Sequence, residues 1–241
     1  MINLLKTHPF FADKQIDSCT LLENQGYCNE NYLVVADGQK YIVRKLLRDD
    51  IDREFEWKVQ KLAYAQGITA EPLIFDRENS LMVFEFLEGE HKIKLDENEL
   101  KLLAQTLRKL HSISIDAKPI ALEIDISLVE KYPKEYVLCH NDLNPQNIFF
   151  PVGWVFQPTD NNTKKVGWKT HPTKLIDFEY AGVNDRYFDL ACVCVEFGLE
   201  GEMGEVFLGA YFESEDSSFE KLEDYKIIYK ALCEEWFQNN M

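Results

Sequence analysis

The stretch Val137-Leu-Cys-His-Asn-Asp-Leu-Asn-Pro-Gln-Asn-Ile-Phe-Phe150 decides how this chain is read. An apolar, strand-like run leads into His140-Asn-Asp142, and Asn147 follows five residues after the aspartate. A second apolar strand begins at once with Ile148. Further along comes Lys174-Leu-Ile-Asp-Phe-Glu179, another strand pattern that ends in acids. Polar side chains at the ends of short strands stand on a rigid support, which is the usual construction of a chemical site.

Phosphoryl transfer to a hydroxyl group explains this combination of residues. The reaction needs a carboxylate within hydrogen-bonding distance of the attacking hydroxyl. It also needs oxygen ligands for Mg²⁺, which accepts one or two carboxylates together with phosphates and water. We therefore predict Asp142 as the catalytic base and Asn147 and Asp177 as the metal ligands. A chance polar loop is the alternative, and the downstream Ile-Asp-Phe and the β-rich half before the motif count against it.

The first ninety residues have the pattern of a β-rich lobe. Asp37-Gly38 is a strong hairpin signal between two strand-like runs. Apolar residues with helical spacing predict one helix over roughly 52–65, and Gly67 stands where a helix ends. The runs predicted as strands are 31–36, 40–44, 72–75 and 80–86.

After Gly89 the pattern becomes helical. Asp96 followed by Glu99 is a capping-box arrangement, and the apolar stripe that it starts ends at His111. A second apolar stripe runs over 222–236 near the C-terminus. We therefore predict two lobes, and a cleft between two lobes is a usual place for a ligand. The predicted boundaries are 1–87 for the N-lobe and 88–241 for the C-lobe.

Residues 151–174 depart from both patterns. The runs 152–159 and 166–173 match at five of eight positions, so we predict a duplicated piece that forms a β-hairpin insertion. A solvent-facing hairpin is favoured because loops tolerate insertions. The alternative is that Trp154 and Trp168 border the site.

The composition limits the partners of the chain. It has 42 acidic and 26 basic residues, a net charge of −16. Such a surface repels phosphate backbones and anionic lipid surfaces, so we expect no nucleic acid and no membrane partner. A cationic small molecule is attracted. No run approaches the ~18 apolar residues of a membrane span, and the start is unlike a secretory signal, so we expect a cytoplasmic protein.

The remaining histidines and cysteines are not expected to carry chemistry. His91 and His171 show no partner pattern and are predicted on the surface, and His111 is predicted as a capped core residue rather than a ligand. The six cysteines have neither zinc-like nor small-scaffold spacing, so we expect reduced, mostly buried thiols.

These motifs carry a resemblance to a known family. His140-Asn-Asp-Leu-Asn-Pro-Gln-Asn147, with Ile176-Asp-Phe-Glu-Tyr-Ala-Gly182 and Arg186-Tyr-Phe-Asp-Leu-Ala191, resembles the choline/ethanolamine kinases, and most of all the bacterial choline kinase type. More broadly the chain is similar to the aminoglycoside phosphotransferases. The resemblance implies an α+β, protein-kinase-like fold of two lobes, the N-lobe β-rich with one helix and the C-lobe mainly helical. It also implies an ATP- and Mg²⁺-dependent kinase that phosphorylates the hydroxyl group of choline to give phosphocholine.

The resemblance implies a set of nucleotide-binding residues in the N-lobe. The family's usual first glycine and threonine of the phosphate-side loop are replaced here by Gln25 and Cys28. The resemblance implies that Arg44 pairs with the phosphates, and alternation along the strand places Lys45 on the opposite face. The alternative for Arg44 is a surface arginine on an edge strand. The alternative for Glu56 is an ordinary ion pair on a helix surface. The implied residues are Gly26 and Asn29 in the loop, Arg44 with its partner Glu56, and Glu85, Phe86 and Leu87 in the connector.

For the acceptor, the resemblance implies a cation site. A quaternary ammonium group is held by aromatic faces and an acid. Glu196 corresponds to the acid, and Trp236 and Tyr180 are aromatic candidates, with Phe197 a further one. On helical periodicity alone, core packing is the better interpretation of Trp236 and Phe197. The residues implied to support the catalytic loop are His140 and Asp189.

Other functions stay open at this point. The acceptor could be ethanolamine, thiamine or an aminoglycoside instead of choline. A non-enzymatic hypothesis is a nucleotide-binding pseudokinase that acts as an interaction module. The intact Asp142, Asn147 and Asp177 argue against it.

Overall fold

The Asp37-Gly38 dipeptide forms the turn that its sequence predicts. In the computed structural model both residues have positive φ, 49° and 72°. A two-residue hairpin loop of the type whose twist suits the flanking strands needs this backbone, and Asp-Gly adopts it readily. The strands on either side pair antiparallel from Ala36 opposite Gln39 to Asn29 opposite Leu46.

The structure describes residues 1–23, 26, 28–150, 155–158, 166–169, 173–213 and 216–240. The chain divides into two units, and the division falls between Leu87 and Glu88 with one exception. Residues 66–68 belong to the second unit. There the backbone amide of Leu175 donates to the carbonyl of Ile68 at 2.8 Å.

The first unit is built on a five-stranded antiparallel sheet. Its strand order is β1-β2-β3-β5-β4, so β3 is the middle strand. The elements of this unit are α1 (Ile2–Thr7), β1 (Ile16–Leu21), β2 (Asn29–Ala36), β3 (Gln39–Leu46), α2 (Arg53–Ala65), β4 (Pro72–Asp76) and β5 (Leu81–Glu85).

The first unit has one helix more than the sequence predicts. Helix α1 has six residues, too few for a periodic apolar stripe to be visible in the sequence. It is held by tertiary packing, since Leu5 and the following Phe11 are fully buried against Val34 and Val43 of the sheet. The expectation of a single helix in this unit was therefore wrong, and strand β1 was likewise not predicted.

The second unit is mainly helical, and its described residues also form three short antiparallel strand pairs. Strand β6 pairs with β11, β7 with β10 and β8 with β9, all antiparallel. The elements of this unit are α3 (Glu97–His111), β6 (Tyr136–Cys139), β7 (Ile148–Phe149), β8 (Val155–Pro158), β9 (Val166–Lys169), β10 (Lys174–Leu175), β11 (Gly182–Asp185), α4 (Arg186–Glu196), α5 (Glu202–Phe212) and α6 (Phe219–Asn240).

Helix α3 begins with the predicted capping box. The Asp96 carboxylate accepts hydrogen bonds from the backbone amides of Asn98 and Glu99 at 2.8 and 2.9 Å, and the Glu99 carboxylate accepts from the Asp96 amide at 2.9 Å. These bonds satisfy amides that a helix N-terminus otherwise leaves open. The apolar stripe behind the cap is fully buried at Leu100, Leu103, Ala104, Leu107 and Leu110.

The pairing of β8 with β9 agrees with the hairpin predicted for residues 151–174. The predictions for the side chains of Trp154, Trp168 and His171 fall outside the described part of the chain. Among the helices of the described residues, none has both the length and the apolar character that a membrane crossing requires.

Replacing the cap residue of α3 tests this account of the fold. Asp96→Ala should lower the free energy of unfolding by about 1 kcal/mol, because it removes both side-chain bonds to the first turn. Urea denaturation followed by circular dichroism measures this change. Asp96→Ser is the matched control, since serine also caps helices, and it should stay close to the wild type. Equal stability of all three proteins would contradict the capping role.

Candidate active site

The loop between β6 and β7 holds Asp142 in one orientation. The Oδ1 atom of its carboxylate accepts a hydrogen bond from Asn144 Nδ2 at 3.0 Å, and its Oδ2 atom accepts one from Asn147 Nδ2 at 2.8 Å. Asn147 Nδ2 also donates to the backbone carbonyl of Asp142 at 2.9 Å. The loop departs from its strand through Asn141, whose φ of 67° is left-handed.

The same contacts fix the direction of the Asn147 side-chain amide. Both amide hydrogens of this buried side chain are directed at Asp142, so Oδ1 is turned away from it. The amide of Ile176 donates to the Asn147 carbonyl at 3.0 Å, and Leu175 pairs with Ile148. Asp177 follows directly and has φ 66° and ψ 67°. An amide oxygen and a carboxylate are oxygen donors of the kind that Mg²⁺ takes, so this set fits that ion.

His140 joins the catalytic loop to the strand before Asp177. Its Nε2 atom lies 2.9 Å from the Ile176 carbonyl, which can only accept, and its Nδ1 atom lies 3.3 Å from the Asp142 amide, which can only donate. The ring therefore carries its hydrogen on Nε2 and is the neutral tautomer. Its fully buried ring also contacts Phe178, with centroids 4.9 Å apart. This agrees with a supporting role for His140.

Asp189 of α4 anchors the beginning of the loop. Its side chain is 0% exposed, and it accepts the amides of His140 and Asn141 at 2.8 Å each. The third donor is Nε2 of His111, at 3.0 Å, and the other ring nitrogen of His111 lies 2.6 Å from the Tyr211 hydroxyl. A buried carboxylate with three donors fixes the backbone of the two residues that precede Asp142.

His111, Cys139 and Asp189 come within 4.8 Å of one another, a grouping that could in principle hold a metal. The carboxylate of Asp189 already accepts three hydrogen bonds. Burial also holds the pKa of the Cys139 thiol well above its usual range, and metals bind the thiolate. This cluster of the described residues is therefore a hydrogen-bonded support and not a metal site.

In the first unit, Arg44 and Glu56 form a buried ion pair. Arg44 Nη1 lies 2.9 Å from Glu56 Oε1, and Arg53 Nη1 lies 2.7 Å from the other carboxylate oxygen. The side chains of Arg44 and Glu56 are only 7% and 3% exposed, and β3 is the middle strand. The alternative of a surface arginine on an edge strand is therefore wrong. Lys45 is directed elsewhere, since its Nζ donates to the Asn79 carbonyl at 2.6 Å.

The phosphate-side loop is described at two of its predicted positions. Gly26 is exposed, and a Cβ atom added there would meet nothing within 4 Å. Asn29 is buried at the start of β2, opposite Leu46 of β3. Gln25 lies outside the described residues. The roles of Gly26 and Asn29 toward a nucleotide stay predictions.

The connector predicted to receive adenine follows β5. Glu85 accepts the backbone amide of Glu71 at 2.8 Å, so its carboxylate ties β5 to β4. Phe86 lies under the ammonium group of Lys40, 4.8 Å from the ring centroid. Leu87 packs against an apolar cluster formed by Ala70, Met82 and Phe84. The backbone amide of Glu85 also donates to the Glu71 carbonyl at 3.0 Å, and the contact of this segment with adenine stays a prediction.

On the acceptor side, Glu196 is half-buried at the end of α4. Tyr229 of α6 is buried and donates to Glu196 Oε1 at 2.8 Å. Cys233 follows one turn later, and burial together with the charges of Glu196 and Asp142 raises the pKa of its thiol. The Glu196 carboxylate therefore lies against this face of α6. Trp236, three residues further, continues the same face and is half-buried.

The other aromatic candidates differ in exposure. Phe197 is only 7% exposed and belongs to the core. Tyr180 is 38% exposed, and its carbonyl accepts from Asn141 Nδ2 at 3.0 Å. Trp236 is half-buried, between a core and a surface residue, and its role toward an acceptor stays a prediction. These three positions thus separate into one core residue and two that solvent reaches.

Comparison with known proteins supports the expected resemblance. The sequence profile of choline/ethanolamine kinase matches residues 90–207, and that of the phosphotransferase enzyme family matches residues 21–131. The chain is thus similar to the choline/ethanolamine kinases over residues 90–207 and to the wider phosphotransferase family over residues 21–131. Its class as a phosphotransferase with a hydroxyl acceptor is thereby confirmed, and kinases of this kind bind a nucleotide.

Individual relatives of this kinase are distant in sequence. Protein LicA of Haemophilus influenzae is 23% identical over 86% of this chain, which spans 66% of that relative's length. LicA of the Rd strain is also 23% identical, over 85% of this chain and 83% of the relative.

Two solved structures share the fold of this kinase. Choline kinase LicA from Streptococcus pneumoniae has a TM-score of 0.74 at 22% identity, covering 98% of this chain and 89% of that one. Plasmodium vivax ethanolamine kinase has a TM-score of 0.66 at 20% identity, covering 91% and 74%. The α+β, protein-kinase-like fold predicted from the sequence is confirmed.

Several supporting residues of this kinase were not predicted. His111 is a core histidine as expected, but its bond to Asp189 across 78 positions leaves no signal in the sequence. The bond from Tyr229 to Glu196 is equally long-range. His91 is exposed, as predicted, but its contacts with the backbone carbonyls of Pro145 and Ile148 also left no signal in the sequence.

Removing the charge of Asp189 tests the support of the loop. Asp189→Asn should lower kcat about hundredfold, because an amide cannot accept all three donors and the loop shifts. It should also lower the free energy of unfolding by about 3 kcal/mol, the usual cost of breaking a buried charged network. Steady-state kinetics and thermal unfolding measure both effects. Asp13→Asn, at an exposed position, is the charge-matched control. A kcat and melting temperature equal to those of the control would refute this role.

Proposed function

We propose that this protein is an ATP- and Mg²⁺-dependent kinase that phosphorylates the hydroxyl group of choline and releases phosphocholine. The observation that carries the proposal is the hydrogen-bonded pair of Asp142 and Asn147 in a loop anchored by Asp189. Together with Asp177 after the neighbouring strand, this pair supplies the two functions that phosphoryl transfer needs, a proton acceptor and oxygen ligands for a metal.

Asp142 is the proposed catalytic base. The amide groups of Asn144 and Asn147 hold one carboxylate oxygen each, at 3.0 and 2.8 Å, and leave the remaining lone pairs of these oxygens to a substrate hydroxyl. A carboxylate that is already oriented need not reorganise during the reaction, and in phosphoryl transfer positioning contributes most of the catalysis.

Residues are also proposed for the nucleotide. Asn147 and Asp177 hold Mg²⁺, which neutralises charge on the β- and γ-phosphates when it is bound. Arg44 pairs with the α- and β-phosphates, and its guanidinium is oriented beforehand by Glu56 at 2.9 Å and by Asn31 at 3.1 Å. The proposed contacts of the remaining phosphate loop and of adenine are those of Gly26 and Asn29 and of the backbone at Glu85, Phe86 and Leu87.

Glu196, Trp236 and Tyr180 form the proposed site for the quaternary ammonium group. A trimethylammonium group has no N–H donor, so it is held by charge and by aromatic faces. Tyr229 fixes the carboxylate of Glu196, and Trp236 lies on the same face of α6. A primary ammonium such as that of ethanolamine would instead need several hydrogen-bond acceptors.

The choice of choline also draws on the relatives and on charge. The Streptococcus pneumoniae structure is that of a choline kinase, whereas the Plasmodium vivax structure is that of an ethanolamine kinase. The net charge of −16 favours a cationic acceptor over an anionic one. We place the activity in the cytoplasm, where ATP is at hand. Thiamine, an aminoglycoside and a pseudokinase role are outcomes that an acceptor panel would reveal.

Asp142→Ala tests the base. The variant should retain ATP affinity and lose about a thousandfold in kcat, since general base catalysis contributes roughly that much. An ADP-coupled assay measures turnover, and calorimetry measures nucleotide binding. Turnover near that of the wild type would remove Asp142 from the mechanism, and no turnover by the wild type with any alcohol of the panel would favour the pseudokinase.

Glu196→Gln and Trp236→Ala test the acceptor. Each should raise KM for choline about tenfold, equivalent to about 1.4 kcal/mol, and leave KM for ATP unchanged. Glutamine keeps an oxygen for the Tyr229 hydroxyl, so the first variant removes the charge alone. The uncharged analogue 3,3-dimethyl-1-butanol is the control substrate, because Glu196→Gln should not weaken its use. Equal effects on choline, ATP and the analogue would indicate a packing role instead.

A further inference from the structure

His91 makes two contacts that the proposed mechanism does not use. Its Nδ1 atom lies 3.1 Å from the Pro145 carbonyl and 3.0 Å from the Ile148 carbonyl. Carbonyl oxygens only accept, so Nδ1 must carry a hydrogen and donate to both. The ring also lies on Phe149, with centroids 4.1 Å apart. An exposed histidine thus binds the end of the catalytic loop through one atom.

The two carbonyls lie on either side of Asn147. The residues between them form the single turn Pro145–Asn147, and Asn147 is also bound through its own carbonyl by the Ile176 amide at 3.0 Å. The backbone amide of Asn147 donates to the backbone carbonyl of Asn144 at 3.0 Å. His91 ties this turn to a segment outside the loop and its partner strand.

The chain before His91 is itself held against the loop. Glu90 and Phe150 exchange two backbone hydrogen bonds, both 2.9 Å long. A Cβ atom at Gly89 would lie 2.9 Å from the Phe150 carbonyl oxygen, so only glycine permits this approach. The position of His91 is therefore set by backbone pairing and not by its own side chain.

We infer that His91 is a positioning residue for the metal ligand Asn147. It acts by holding the carbonyls on both sides of that residue, and so it sets the direction of the Asn147 amide oxygen. This inference rests on the proposed metal-binding role of Asn147. Groups that orient a metal ligand commonly affect metal affinity nearly as strongly as the ligand does. Because His91 is exposed, replacing it leaves no cavity in the core.

Two substitutions separate the donor from the ring. In His91→Phe the ring over Phe149 remains and the donor is lost. In His91→Asn the side-chain amide nitrogen takes the place of Nδ1, so the donor remains and the ring is lost. The measurements are the Mg²⁺ concentration that gives half-maximal activity at saturating ATP and choline, and the hydrogen exchange of backbone amides in peptides covering 143–150 without metal or nucleotide.

His91→Phe should raise the half-activating Mg²⁺ concentration about tenfold and speed exchange in 143–150, and His91→Asn should resemble the wild type in both. A His91→Phe protein equal to the wild type in both measurements would overturn the inference. So would a His91→Asn protein that resembles His91→Phe, because ring packing would then be the cause.

Asn147→Ala distinguishes failure of this inference from failure of the proposed function. If Asn147→Ala weakens Mg²⁺ activation and His91→Phe does not, His91 has no positioning role. If Asn147→Ala leaves Mg²⁺ activation unchanged, Asn147 is not a metal ligand. The inference that His91 positions a metal ligand then fails as well. Faster exchange in His91→Phe alone would then still show that His91 holds the turn.

Discussion

The buried carboxylate of Asp189 is the constraint on which the catalytic loop depends. A charge that is 0% exposed must be compensated, and here the compensation comes from two loop amides and from His111. The direction of these amides forces the chain through the left-handed conformation of Asn141. Asn141 is further held by its contacts with Tyr180 and Asn184. Asp142 is therefore placed by the residues before it, and Asn144 and Asn147 orient its carboxylate.

The far end of the loop is fixed by a different set of bonds. Short strands leave Asn147 and Asp177 next to each other in the fold, and Asn147 binds back to the Asp142 carboxylate. His140 joins both halves, because one ring nitrogen meets the loop and the other meets the strand before Asp177. Each of these groups has its direction set before any ligand binds, which is the condition for efficient electrostatic catalysis.

The acidic composition acquires a specific meaning at Glu196. Burial and the charges of Asp142 and Glu196 raise the pKa of the Cys192 thiol, as they do for Cys233. A carboxylate held beside neutral thiols is the arrangement on which the proposed cation site rests. In the first unit, Arg44 is buried on the central strand β3, and the carboxylate of Glu56 in α2 compensates its charge.

Features that depend on neighbours in the chain could be predicted from the sequence. The Asp37-Gly38 turn and the α3 cap follow from local backbone and side-chain preferences, and the roles proposed for Asp142, Asn147 and Asp177 rest on residue types at the ends of strands. The short helix α1, the His111 bond to Asp189, and the His91 contacts with the loop could not. Their partners lie far along the chain, and a hydrogen bond across such a distance leaves no periodic pattern. Residue types thus determined the reaction that this chain can support, whereas tertiary packing decided which side chains hold the reacting groups in place, because only packing brings distant donors and acceptors within 3 Å or so of each other.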